Sequence, residues 1–150
     1  MKLQKATMCG LYAVLELATH RDQQISAAEI ASKYEISLNH LAKVLRTLVR
    51  ARLVESVRGA GGGYRFCGNP KRVTLLDIIQ LFEEVGPDAE PAPPVDHVEG
   101  RTLHKVLREI DDIALASLRA VSITTLLKIN EKQKRDPEVK AVVGRAASGG

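Results

Sequence analysis

Apolar residues recur every three or four positions over most of this chain, which marks a protein built mainly from amphipathic helices. The first stretch, TMCGLYAVLELATH at residues 7–20, puts Leu11, Val14, Leu15 and Ala18 on one face, with Thr7 placed to cap it. A polar loop from Arg21 to Gln24 follows. In SAAEIASKY, residues 26–34, Ser26 and Glu29 form a capping box, in which each side chain satisfies a free backbone N–H at a helix start. Ile30 and Ala31 then face inward. After a tight turn at 35–36, Ser37 caps a longer helix, SLNHLAKVLRTLVRA. Leu38, Leu41, Val44, Leu45 and Leu48 make its apolar stripe, and Asn39, His40, Lys43, Arg46, Thr47 and Arg50 make its other face.

A short helix, a brief turn and a longer helix with a basic polar face is the helix-turn-helix pattern. The longer helix is the one expected to enter a DNA major groove, N-terminal end first. Asn39, His40 and Lys43 lie on its first exposed turns, where they can bond base edges or phosphates.

The period then changes from helical to alternating. LVESV at 53–57 and YRFC at 64–67 read as two short strands. The loop between them, RGAGGG at 58–63, holds Gly59, Gly61, Gly62 and Gly63, more glycine than a plain hairpin turn needs. Such a loop suggests close backbone approach to something large. With Arg58 at its entrance and Tyr64 and Arg65 beyond it, a phosphate backbone or minor groove is the expected neighbour.

Residues 74–85, TLLDIIQLFEEV, form another expected helix, with Thr74 and Asp77 bracketing its first turn and Leu76, Ile79 and Phe82 packing inward. Residues 1–85 thus read as a winged helix-turn-helix head. Residues 86–100 hold four of the chain's six prolines, Asp88, Glu90, Asp96 and Glu99, and no basic residue. This is an acidic loop, expected to lie away from DNA. Over 101–129, Leu103, Val106, Leu107, Ile110, Ile113, Ala114, Leu118 and Val121 repeat at helical spacing. A lone helix beyond a linker cannot bury that stripe, so a homodimer is expected to form through it. Ser122 is placed to cap a separate short helix over 122–129. Residues 130–150 are polar and read as a flexible tail.

Composition sharpens this picture. At 150 residues the chain has room for one core domain and an appendage. Aromatics are only 3% with no Trp, so the core must be built from Leu, Ile, Val and Ala. Net charge is +4, and the basic residues Lys33, Lys43, Arg46, Arg50, Arg52, Arg58, Arg65, Lys71 and Arg72 gather between 33 and 72, opposed only by Glu35 and Glu55. That bias favours a polyanionic partner. No apolar run is long enough to span a membrane and no signal segment is apparent, so a cytoplasmic location is expected. Cys9 and Cys67 cannot make a disulfide framework. No nucleophile–base pair, P-loop or dinucleotide fingerprint appears. His20, His40, His97 and His104 lack an HExxH or CxxC companion, so an enzyme is not expected. A protein-interaction module would account for the dimer helix but not for the glycine wing and its arginines.

The segments MKLQKATMCGLYAV, ISLNHLAKVLRTLVRARLVESVRGAGGGYR and VTLLDIIQLFEE resemble the bacterial winged-helix transcription regulators that include IscR, NsrR and CymR. The resemblance covers residues 1 to about 130. It is most specific in the wing phrase Val57 to Tyr64, and NHLAKVL is closer to the NsrR branch. It implies a fold that is mainly α with a small β-wing: a winged helix-turn-helix head and a long helix exchanged across a homodimer on a double-stranded operator. It also places Asn39, Ala42 and Arg58 at the DNA, and Ala42 offers only a methyl group where some members use a longer side chain. Many members hold an iron–sulfur cluster through three cysteines in the loop before the long helix. Residues 86–101 contain no cysteine, and of that ligand set only His104 is matched, while Met8 stands where some relatives have a charged ligand. No metal or cofactor is therefore expected. Unusual ligation by His104 with His97 or Cys9, in a cluster-based redox or nitric-oxide sensor, is the alternative.

Overall fold

Helix α1, Lys5–Thr19, runs through the middle of the head in a computed structural model that describes residues 1–86, 89, 94–138 and 144–145. Cys9, Ala13, Val14, Leu17 and Ala18 line its buried face. It begins two residues before the sequence expectation, and Thr7 is not its cap. The Thr7 side chain is fully buried and its hydroxyl donates to the Glu83 carboxylate, which also accepts from the Gln4 backbone N–H at 2.8 Å. A carboxylate at a helix N-terminus satisfies free donors there and favours the helix dipole. Here it arrives from 79 residues down the chain.

Helix α2, Ala27–Tyr34, carries the expected capping box in full: Ser26 N–H donates to Glu29 at 2.8 Å and Glu29 N–H to Ser26 Oγ at 3.2 Å. Glu35 adopts a left-handed conformation at its end (φ 53°), and Ile36 N–H closes onto the Ala31 carbonyl. This turn aims α3, Leu38–Arg50, whose Ser37 cap accepts from His40 N–H at 3.2 Å. Leu41, Val44, Leu45 and Leu48 are buried, but Leu38 is not. It stands 52% exposed, outside the stripe to which helical spacing assigned it. The buried arc of α3 is already filled by the four residues that follow, so the first residue of the helix points away from it.

Strands β1, Val54–Val57, and β2, Gly63–Phe66, pair antiparallel, with Val54 opposite Phe66 and Val57 opposite Gly63. The hairpin is fastened to the helix-turn-helix by a further backbone bridge: Tyr64 N–H donates to Ile25 O at 2.8 Å and Ile25 N–H to Tyr64 O at 3.0 Å. Helix α4, Leu75–Ile79, has the expected Thr74–Asp77 capping box but ends well short of residue 85. The chain turns at Gln80 so that Phe82 can fold back onto α1, where a Cβ on Gly10 would lie 2.5 Å from its ring.

Helix α5, Val98–Ala120, starts inside the segment expected to be loop, with His97 as its cap: Nδ1 accepts from Gly100 N–H at 3.0 Å. Asp88 and Glu90 of the acidic loop, and the terminal residues 146–150, lie outside the described residues. Helix α6, Ile123–Arg135, has the expected Ser122 cap but continues six residues past 129, into the segment expected to be tail. Ile123 is 1% exposed in the core cluster with α1, so α6 belongs to the head. Antiparallel backbone bonds join the two helix starts: Leu75 N–H donates to Val121 O and Ile123 N–H to Val73 O, each at 2.9 Å.

Candidate nucleic-acid interface

The outward arc of α3 carries Leu38, Asn39, Ala42, Lys43, Arg46 and Arg50, all exposed, and the helix contains no acidic residue. Burial of the opposite arc fixes how this one is presented. Two neighbours are less available than the sequence suggests. The Thr47 hydroxyl donates back to Lys43 O at 3.3 Å, and His40 is half-buried with its Nε2 enclosed and unpartnered. Only the remaining edge of that imidazole can reach a ligand. The hydroxyl oxygens of Ser26 and Ser37 accept capping bonds, which leaves each hydroxyl proton able to donate outward.

A brace that sequence reasoning missed holds α1 against α2. Glu16 accepts from Lys33 Nζ at 2.7 Å and Tyr34 Oη at 2.6 Å, with His20 Nε2 at 3.5 Å. Burial opposes ionisation of Glu16, but the bonds from Lys33 and Tyr34 and the Lys33 charge outweigh it and lower its pKa. Burial and the Glu16 contact push the Tyr34 phenol well above its ordinary value. The one signal in the sequence was a carboxylate, Glu16, among apolar residues on the inner side of a helix.

In the wing, Arg58 is exposed and makes no ion pair among the described residues. The glycines have internal reasons. Gly59 and Gly61 take positive φ of 110° and 72°, which only glycine adopts freely. A Cβ on Gly62 would strike the Val57 carbonyl, and one on Gly63 would sit 2.6 Å from the Ile25 carbonyl. The glycine run therefore has internal reasons and does not by itself require a large external neighbour. Arg65 directs both Nε (2.8 Å) and Nη2 onto Glu55 across the hairpin, and Tyr64 is half-buried at the Ile25 bridge. With Lys33 on Glu16 as well, two of the nine clustered cations are neutralised within the chain.

Among the described residues no three His, Cys, Asp or Glu side chains come together. Cys9 is buried in the head, and Cys67 lies at the end of β2 with its thiol on Arg52 O at 3.3 Å. Burial raises both thiol pKa values, and thiolate is the form that ligates iron. His104 is half-buried on α5, beside Arg101, Lys105 and Arg108.

On α5 no residue is buried. Leu103, Val106, Leu107, Ile110 and Ile113 are exposed, while Ala114, Leu118 and Val121 are half-covered near the junction with the head. This fold is similar to that of CymR, the global cysteine regulator of B. subtilis. The two superpose with a TM-score of 0.70 over 86% of this chain and 98% of that one, at 28% identity. The model of the Rrf2 family, described as iron-dependent transcriptional regulators, matches residues 3–129. The chain belongs to the Rrf2 family. Among Rrf2 relatives it is 69% identical over 138 residues to the HTH-type transcriptional regulator BadM of Rhodopseudomonas palustris, covering 92% of this chain and 88% of BadM. It is 30% identical to IscR of Aliivibrio salmonicida, over 89% of this chain and 82% of IscR. Rrf2 members are transcription regulators, and this chain is one, not an enzyme. No helix among its described residues is long and apolar enough to cross a membrane.

Proposed function

We propose that this Rrf2 regulator is a cytoplasmic repressor that binds a near-palindromic DNA operator as a homodimer. The observation that carries the reading is α3: a helix anchored by four buried apolar residues, with Asn39, Lys43, Arg46 and Arg50 exposed and no acidic side chain. Asn39, at the helix start, pairs with a base edge, while Lys43 and Arg46 meet phosphates. Ser26, Ser37 and the free edge of His40 add hydrogen bonds at the groove rim. Arg58 reaches from the wing into the minor groove, with Gly59, Gly61 and Gly62 giving backbone access, and Tyr64 and Arg65 hold the wing in place. The stripe Leu103, Val106, Leu107, Ile110, Ile113, Ala114, Leu118 and Val121 joins the subunits. The regulator works without an iron–sulfur cluster, since loop cysteines are missing and its own two thiols are held as thiols elsewhere.

Fluorescence anisotropy with the promoter DNA of its own gene, set against scrambled DNA over a range of salt, tests this. Specific binding is expected, and Lys43→Ala should lower the salt slope by ~1 on every sequence while Asn39→Ala shifts sequence preference. Equal affinity for the two DNAs would end the reading. Anaerobic purification yielding a brown protein with stoichiometric iron and sulfide would end the cofactor statement alone.

A further inference from the structure

Among the described residues, the large apolar side chains left exposed are Met1, Tyr12, Leu38, Ile129 and the set on α5. Met1 is the first residue, Ile129 lies on α6, and Tyr12 stacks on Tyr34 with ring centroids 4.9 Å apart. Val98 is the first residue of α5, and the rest of the α5 set belongs to the stripe already assigned. Leu38 stands apart, on the helix-turn-helix surface itself. The folding of α3 does not call for it. Ile36 before the cap and Leu41 four residues after it are the apolar pair that fixes how a chain enters a helix, and both pack into the core. Solvent exposure of a leucine at the first position of a capped helix gains the fold nothing.

Residues 38 and 42 lie one turn apart on the same helix face. Ala42 is also exposed, so the two form a small apolar strip bordering Asn39 and Arg46. A leucine and an alanine set among Asn39, Lys43, Arg46 and Arg50 are too few and too surrounded by charge for the core of a protein–protein interface. They do match a DNA major groove, whose distinctive apolar feature is the thymine C5-methyl group beside phosphates and hydrogen-bonding base edges. We propose that Leu38, with Ala42 beside it, reads thymine in the operator by packing on its methyl group. The proposal rests on the DNA-binding reading above. It adds an apolar specificity determinant to the polar ones.

The test uses the full chain and promoter duplexes in which each thymine in turn is replaced by deoxyuridine, which lacks only the methyl. Wild-type protein should weaken by about fourfold at one thymine in each half-site, the worth of a single methyl removed from water. Leu38→Ala and Leu38→Asn should bind the thymine duplex less well and lose the distinction between thymine and uracil at that position, with unchanged circular dichroism. A Leu38→Ala protein that keeps the full wild-type preference for thymine overturns the proposal, as does a wild type indifferent to every substitution. Binding to no promoter duplex at all would instead remove the DNA-binding reading, and this one with it.

Discussion

The head and α5 both draw their large apolar side chains mainly from leucine, isoleucine and valine, yet the head encloses a core of them and α5 buries none. Ile123 and Ile113 make the contrast concrete: the first is 1% exposed, the second 67%. Both belong to amphipathic helices, so helical periodicity alone does not tell them apart. What separates them is the presence of a second surface. Helix α6 finds α1 within its own chain, whereas α5 presents a face that stays uncovered among the described residues. The head is a folded unit, and in the proposed homodimer α5 is half of an interface.

The largest expected effect attacks that distinction directly. Leu107→Glu with Ile110→Glu should split the dimer and abolish tight operator binding, because like charges brought together at the centre of a symmetric contact cost several kcal/mol. Sedimentation should show a monomer while the melting temperature of the head stays near wild type. A dimer that survives both charges would deny α5 its role.

The next prediction compares the two isoleucines. Ile123→Ala should destabilise the folded chain by about 2–5 kcal/mol, the range for a core truncation. Ile113→Ala should leave the stability of dilute, monomeric protein unchanged and weaken only association. Urea unfolding at two protein concentrations separates these. Equal losses at low concentration would mean that α5 is covered within its own chain.

A smaller effect, about 1–3 kcal/mol, is expected in operator affinity for Arg58→Ala, with the head still folded. Arg65→Ala should cost less, because that guanidinium is already held by Glu55. Anisotropy with both variants ranks them, and the reverse order would assign the DNA contact to Arg65.

The smallest effect is a pH dependence confined to the head. Glu16 has a lowered pKa, so its stabilising contribution is complete above its ordinary value of 4.5 and is lost as pH falls through the lower folded value. Glu16→Gln should therefore lose less stability than wild type between pH 7 and pH 3 in urea titrations. Parallel acid limbs for the two proteins would show that the Lys33–Tyr34 brace contributes nothing.

What the sequence made legible was local. Both capping boxes, the Ser37 and Ser122 caps, the hairpin and the stripe on α5 depend on residues within a few positions of each other, and the structure has them. The mainly helical fold with a small β-wing was legible for the same reason. What escaped depends on residues far apart: the Glu83 carboxylate at the start of α1, the Phe82 ring under Gly10 that cuts α4 short, and the docking of α6 on α1. At the candidate interface, the exposed face of α3 was readable from spacing. The exposure of Leu38, the half-burial of His40 and the pairing of Arg65 were not, since each is decided by what the neighbouring elements leave open. The wing glycines were located correctly but explained by an external partner, because the Ile25 carbonyl that excludes a Cβ at Gly63 lies nearly forty residues away.

In the proposed dimer, the back-to-back helix starts at Thr74 and Ser122 would act as a fulcrum. Two backbone bonds, Leu75 to Val121 and Ile123 to Val73, fasten the head to the C-terminal end of α5. The 23 residues of α5 run from there as a lever arm. At about 1.5 Å per residue the arm is about 35 Å long, so a tilt of about 5° at the fulcrum sweeps its far end through about 3 Å. In a dimer joined along that arm the leverage works in reverse as well: a displacement where the arms meet turns each head, and the spacing of the two recognition helices is set by hydrogen bonds far from either of them.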